Sequence, residues 1–170
     1  PYGVSKLAAE KDALAYMKLY NLPVVCLRYF NVFGVNQRYD AYGNVIPIFA
    51  DRILKGISMT IFGDGEQTRD FVNVKDVVQA NIKSALSDAT GVFNIGSGTR
   101  ITINSLADML LEITGATSGK DYGPERPGDV RDSLADVSKA NAAFGFSPAK
   151  DISIGLREYM GWIAEDTVTP

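Results

Sequence analysis

Apolar positions recur along this chain at two spacings, and stretches of one spacing alternate with stretches of the other. Residues 3–20 are rich in Ala and Leu, with Leu7, Leu14 and Met17 among Ala8, Ala9, Ala13 and Ala15. They predict a helix that Asn21 and Pro23 stop. Residues 23–29 are a short, mostly apolar run, the pattern of a buried parallel strand. Residues 31–44 are polar, with Gly34, Asn36, Asp40, Gly43 and Asn44, and read as a loop. Ile46, Phe49, Ala50, Ile53 and Leu54 then follow helical spacing until Gly56. Residues 59–62 and 69–74 read as strands on either side of a turn over 63–67.

A helix over 75–87 carries Val78, Ile82, Ala85 and Leu86 on one face, and residues 92–95 form another buried strand, closed by Gly96 and Gly98. Thr102 can cap a helix with Ile103, Leu106, Ala107, Leu110 and Leu111 on one stripe, which Gly115 stops. Residues 116–128 are loop-like. Asp136 caps a short helix that ends before Gly145. Ile152, Leu156, Tyr159, Met160 and Ile163 mark a last helix, and the tail from Asp166 reads as frayed. Strands alternating with helices predict an α/β fold, and a helix feeding a buried strand is half of a doubly wound sheet.

Composition narrows this picture. At 170 residues the chain is one domain, or one domain plus part of another. Its 46% apolar and 22% charged residues are those of a soluble globular chain. A net charge of −3 argues against a nucleic-acid surface, and no apolar run is long enough to span a membrane. No basic-then-apolar leader opens the sequence, so no secretion signal is expected, and a lone cysteine, with no intrachain disulfide possible, fits a reducing cytoplasmic setting. The chain has no histidine, which removes His triads and His zinc sites; no metal is expected. The one cysteine, Cys26, lies in an apolar run and reads as a buried strand residue.

Chemistry enters at the first residues, Pro1-Tyr2-Gly3-Val4-Ser5-Lys6. On a helix, residues four apart share a face. A phenol is a poor acid or base at neutral pH, its unperturbed pKa being about 10. A lysine ammonium a few ångströms away favours the phenolate. A Tyr-x-x-x-Lys pair is thereby suited to moving a proton to or from an alcohol. The alternative is an exposed Tyr and Lys on a surface helix. Asn31 falls just past a strand's C-terminal end, where open α/β sheets bind ligands; its alternative is a local turn residue. Gly96-Ser97-Gly98 lacks the third glycine of a dinucleotide loop, and a strand-to-helix connection explains it without a ligand. Tyr159 and Trp162, at helical spacing, read as packing.

Five stretches then appear in order: Tyr2-Gly3-Val4-Ser5-Lys6; Leu27-Arg28-Tyr29-Phe30-Asn31-Val32-Phe33-Gly34; Gly63-Asp64-Gly65-Glu66-Gln67-Thr68-Arg69-Asp70-Phe71; Asn94-Ile95-Gly96-Ser97-Gly98; and Arg126-Pro127-Gly128-Asp129-Val130-Arg131. Together they resemble the C-terminal half of an extended short-chain dehydrogenase/reductase, and most resemble the NAD-dependent UDP-hexose 4-epimerases. The resemblance implies the C-terminal portion of an extended Rossmann-type fold, the last part of a parallel sheet plus a small substrate domain. Residues 1–35 and about 67–90 would be the remnant of the nucleotide-binding sheet domain. About 36–66 and 91–165 would form the sugar-nucleotide domain. The Gly-rich NAD half that the family places before its active tyrosine is absent from the sequence, so this piece alone is expected to be inactive, and a homodimer is expected at full length.

The resemblance also implies roles. Tyr2, as phenolate, would take the proton of the sugar 4-hydroxyl while hydride leaves C4 for NAD, and the 4-keto sugar would turn over and take the hydride back. Lys6 would favour the phenolate and bond the nicotinamide ribose, and Phe30 would lie by the nicotinamide. Asn31, Arg69 and Arg126 would hold the diphosphate, since guanidinium groups pair with phosphate oxygens in a planar fork. The alternative for either arginine is an ion pair with Asp70 or Asp129. Asp129 would accept from the ribose hydroxyls. Thr60, Ile61 and Phe62 would line the uracil site, and Asn44 and Val45 would touch the nucleotide. Ser133 occupies the family position that faces the sugar C2 substituent; being small, it leaves room for an N-acetyl group, unless it simply begins a strand. Rivals in the same superfamily are a sugar-nucleotide 4,6-dehydratase or a uronate decarboxylase. Outside enzymes, a non-catalytic UDP-sugar-binding fragment, or an assembly built on the Ala/Leu-rich helix, fits the same residues.

Overall fold

Helix α1 (Tyr2–Tyr20) ends where its breakers stand: Asn21 turns left-handed at φ 53° and Pro23 follows. The structure, a computed structural model, describes residues 1–37, 44–149 and 151–166; the expectations at Asp40 and Gly43 and over 167–170 lie outside these residues. None of the residues of α1 is buried. Its partly covered positions, Glu10, Ala13, Leu14 and Met17, form one stripe.

β1 (Val25–Tyr29) pairs in parallel with β6 (Gly91–Ile95), and β2 (Asn31–Phe33) pairs in parallel with β5 (Phe71–Asn73). β3 (Met59–Phe62) pairs in parallel with β8 (Lys120–Gly123), whereas β4 (Thr68–Arg69) and β7 (Ile101–Thr102) are antiparallel. Two apolar cores result. α2 (Val45–Leu54), α4 (Ile103–Thr114) and α6 (Ile152–Asp166) pack around Met59 and Ile61 of β3. α3 (Val74–Ala85) and α5 (Ser138–Phe144) flank Phe93 and Ile95 of β6. The β2–β5 ladder divides the cores. Successive strand residues face opposite sides. Thus Phe33 and Phe71 enter the first core, edge to face with centroids 6.5 Å apart, and Val32 and Val72 enter the second.

The helix caps follow local chemistry. Thr102 Oγ1 accepts from Ser105 N at 3.0 Å and Gly115 ends α4 at φ 64°. Asp136 accepts from Ser138 N at 2.9 Å, but it stands one residue before the cap position, which Val137 holds. Tyr159 is fully buried and stacks on Trp162, as packing residues should.

Elsewhere tertiary contacts override the pattern. The expected loop over 31–44 begins with strand β2, and the expected loop over 116–128 contains β8, a polar strand whose main chain pairs with β3. The single strand read over 69–74 is broken at Asp70, which separates β4 from β5. On α3 the apolar stripe points outward: Val78, Ile82 and Leu86 are exposed, while Val77, Ala80 and Ser84 are buried. Small residues let the helix approach the sheet closely. β6 lies beside β1, with Val25 opposite Gly91 and Tyr29 opposite Ile95.

Candidate functional site

The helical start brings Tyr2 and Lys6 together. Lys6 Nζ stands 5.3 Å from the centroid of the Tyr2 ring. Ser5 Oγ donates to Tyr2 O at 2.7 Å, which steadies the first turn. Tyr2 is 77% exposed, and with Lys6 it lines an open groove of about 700 Å³ whose other wall is residues 26–29 of β1. A hydroxyl and an ammonium side by side on an open groove can both hydrogen-bond the hydroxyls of a bound molecule. Phe30 is half-buried, with its N–H bonded to Ile95 O at 2.9 Å, and does not line this groove.

A second cavity, a cleft of about 260 Å³, gathers residues far apart in sequence. Asn31 from β2, Asn44 and Val45 at the start of α2, Thr60, Ile61 and Phe62 from β3, Arg69 from β4, and Arg126 and Asp129 from the loop after β8 all line it. Nine of the ten residues expected to bind the sugar nucleotide therefore share one space. Ser133 does not line the cleft; it is half-buried and lies outside any strand.

Both arginines are held at fixed angles. The Arg69 side chain is 14% exposed; its guanidinium donates to Thr68 O at 2.8 Å, to Val130 O and to the Asp129 carboxylate. The ion-pair partner weighed for Arg69 is thus present, inside the cleft. Arg126 lies over the Phe62 ring, 3.8 Å from its centroid, so the aromatic face carries part of its charge. The loop bearing Arg126 and Asp129 is strapped down further on, where Arg131 grips Asp64 at 2.7 and 2.9 Å and Thr68 Oγ1 donates to Asp132. The Arg131 guanidinium holds the Asp64 carboxyl down at about 2.

Asp70 organises the cleft from behind, as nothing in its sequence position announces. It is fully buried. Its Oδ1 accepts from Ser97 N at 2.6 Å and Ser97 Oγ at 2.8 Å; its Oδ2 accepts from Gly98 N and Ala135 N, each at 3.0 Å. Its main-chain oxygen receives both the N–H and the Nδ2 of Asn31, at 3.1 and 3.0 Å. One residue thereby joins Asn31, the 96–98 turn and the segment beyond Asp129. Gly96 of that turn serves packing, because a Cβ there would collide with Ala135 and Asp70.

Ile48, Phe49, Gln67 and Ile103 also line the cleft, although the sequence pattern marks them only as core or turn. Gln67 Nε2 donates to Phe62 O at 2.8 Å and fixes the end of β3. The sequence pattern gives Glu10 and Arg28 no role of their own. Arg28 Nε and Nη2 donate to the two Glu10 oxygens at 2.6 and 2.8 Å, and hold the Glu10 carboxyl below the usual carboxylate range.

The NAD dependent epimerase/dehydratase family model matches residues 1–96. The chain is 37% identical over 169 residues, 99% of its own length and 55% of the relative's, to a putative UDP-glucose 4-epimerase of Methanocaldococcus jannaschii. A crystal structure of UDP-glucose 4-epimerase with UDP-glucose from Thermotoga maritima matches with a TM-score of 0.94 at 38% identity, over 98% of this chain and 54% of that one. A UDP-N-acetylglucosamine 4-epimerase from Methanobrevibacter ruminantium, in complex with UDP-N-acetylmuramic acid, matches with a TM-score of 0.93 at 41% identity, over the same shares. Relatives at 31–32% identity include a dTDP-glucose 4,6-dehydratase and a UDP-N-acetyl-alpha-D-glucosaminuronate decarboxylase. The chain spans about half the length of the curated relatives it matches. With the Tyr2–Lys6 groove and the two-arginine cleft carried on such a fold, the chain belongs to the NAD dependent epimerase/dehydratase family.

Proposed function

We propose that this chain supplies the sugar-nucleotide cleft and the proton-transfer pair of an NAD-dependent UDP-hexose 4-epimerase, as the carboxyl-terminal portion of a longer enzyme. The observation that carries the proposal is the convergence of Asn31, Arg69 and Arg126 on one cleft beside the β3 edge. Two guanidinium groups and an amide meet the charge and hydrogen-bond demand of a diphosphate. Thr60, Ile61 and Phe62 then face the uracil, Asn44 and Val45 the nucleotide, and Asp129 the ribose. Tyr2, as phenolate, removes the proton of the sugar 4-hydroxyl, and Lys6 stabilises that phenolate. Tyr2, Lys6 and Phe30 would hold NAD, and the group would supply reversible hydride transfer at C4. The family position that Ser133 occupies favours UDP-N-acetylglucosamine and its C4 epimer, with UDP-glucose also accepted. A soluble cytoplasmic homodimer at full length completes the reading.

The dehydratase and decarboxylase relatives favour a second reading, in which the same cleft serves one of those reactions. Calorimetry with UDP tests the cleft directly, because the residues proposed to hold it all lie in this chain. UDP should bind, and Arg69→Ala and Arg126→Ala should each weaken it about 10- to 100-fold, the worth of a charge-assisted hydrogen-bond set. Undiminished UDP binding in both variants would refute the assignment. In the full-length enzyme, a C4-epimerised product with no loss of water or CO₂ separates the first reading from the second.

A further inference from the structure

The problem α1 poses is one of placement: it carries Tyr2 and Lys6, yet none of its residues is buried. Apolar packing therefore does little to set its rotation or its position along its axis. Tyr2, Lys6 and Glu10 follow one another at intervals of four, one above the other on a single face. Glu10 belongs to the helix's partly covered stripe with Ala13, Leu14 and Met17, and its side chain is only 9% exposed. Among the described residues, its two bonds from Arg28 are the side-chain hydrogen bonds that tie α1 to another element. Arg28 belongs to β1, two residues before Phe30 and three before Asn31.

We propose that Glu10 and Arg28 are the positioning pair of the site, setting the Tyr2–Lys6 face of α1 against the end of β1. A two-pronged guanidinium–carboxylate contact fixes both distance and angle, which a single point contact does not. It pins the helix two turns below Tyr2, so the pin and the phenol rotate together. The pair also keeps Glu10 from Lys6. A carboxylate four residues along a helix is a natural partner for an ammonium. Arg28 takes both Glu10 oxygens, and the Lys6 ammonium stays by the Tyr2 ring. The proposal rests on the reading of Tyr2 and Lys6 as the proton-transfer pair, and its test is independent of that reading.

Spin labels at Ser5→Cys on α1 and Gln79→Cys on α3, in a Cys26→Ser background, report the placement of α1 as a distance distribution. Glu10→Gln and Arg28→Gln should each at least double the width of that distribution, at an unchanged thermal midpoint. The Glu10→Gln/Arg28→Gln double variant should be no broader than either single change, since one contact is lost in all three. Arg28→Lys, which keeps the charge and loses the fork, should resemble Arg28→Gln. Unchanged widths would overturn the proposal, and so would losses that add in the double variant. UDP affinity, read in the same samples, should not vary across the series. If UDP fails to bind even the unaltered chain, the cleft reading falls, while the widths still decide the role of Glu10 and Arg28.

Discussion

Replacing Asp70 by Asn changes one oxygen to an NH₂ and leaves the shape of the side chain nearly intact. All four groups around the carboxylate are donors: Ser97 N, Ser97 Oγ, Gly98 N and Ala135 N. The new NH₂ must face one pair. Turned toward Gly98 and Ala135, it leaves two buried N–H groups without acceptors. Turned toward Ser97, it can donate to Oγ, which already has Thr99 O as an alternative acceptor at 3.0 Å, and only Ser97 N is orphaned. The second orientation costs less. One orphaned buried donor costs about 1–3 kcal/mol, and exchanging a carboxylate acceptor for a neutral amide weakens the remaining bonds, so about 2–4 kcal/mol in all is expected. Against a typical domain stability of about 5–15 kcal/mol, that is a large fraction. The assay is urea unfolding, with the thermal midpoint as a second reading; a drop of about 5–15 °C is expected for a chain of this size. Ser97→Ala, which deletes only the hydroxyl, is the control and should cost about 1 kcal/mol. A loss below about 0.5 kcal/mol in Asp70→Asn, or one no larger than in Ser97→Ala, would refute the account of Asp70 as the tie between the 96–98 turn and Ala135.

Two glycines of α6 should respond with opposite signs. A Cβ at Gly155 would stand 2.5 Å from Asn73 Nδ2 and 2.9 Å from the Phe33 ring, so Gly155→Ala should destabilise by about 1–3 kcal/mol. At Gly161 a Cβ meets nothing within 4 Å, so Gly161→Ala should stabilise by about 0.5–1 kcal/mol through helix propensity; equal effects in denaturant titrations would contradict this packing. The Asp64 carboxyl, lowered from 3.8 to about 2 by Arg131, contributes stability that is present above the unfolded value and lost as pH falls through the folded one. Acid unfolding at low salt should therefore be less steep between these values in Asp64→Asn, and the difference should fade as salt is added.

What the sequence determined by itself is whatever local chemistry decides. Thr102 and Gly115 bound α4 because a hydroxyl reaches its own helix's N–H groups and a glycine takes the left-handed turn, with no distant partner needed. Lys6 is delivered to Tyr2 by helix geometry alone. The motif order pointed to the two arginines, and the fold then brought them into one cleft with Asn31. Local pattern misled where main-chain pairing or close approach governs. β8 is a polar segment made into a strand by β3, and the exposed Val78–Ile82–Leu86 stripe of α3 yields its expected place to the smaller Ala80 and Ser84. Asp70 and Glu10 are the clearest cases. A carboxylate on the page is a surface charge until the fold surrounds it, and only the tertiary structure supplied the four donors of one and the guanidinium fork of the other.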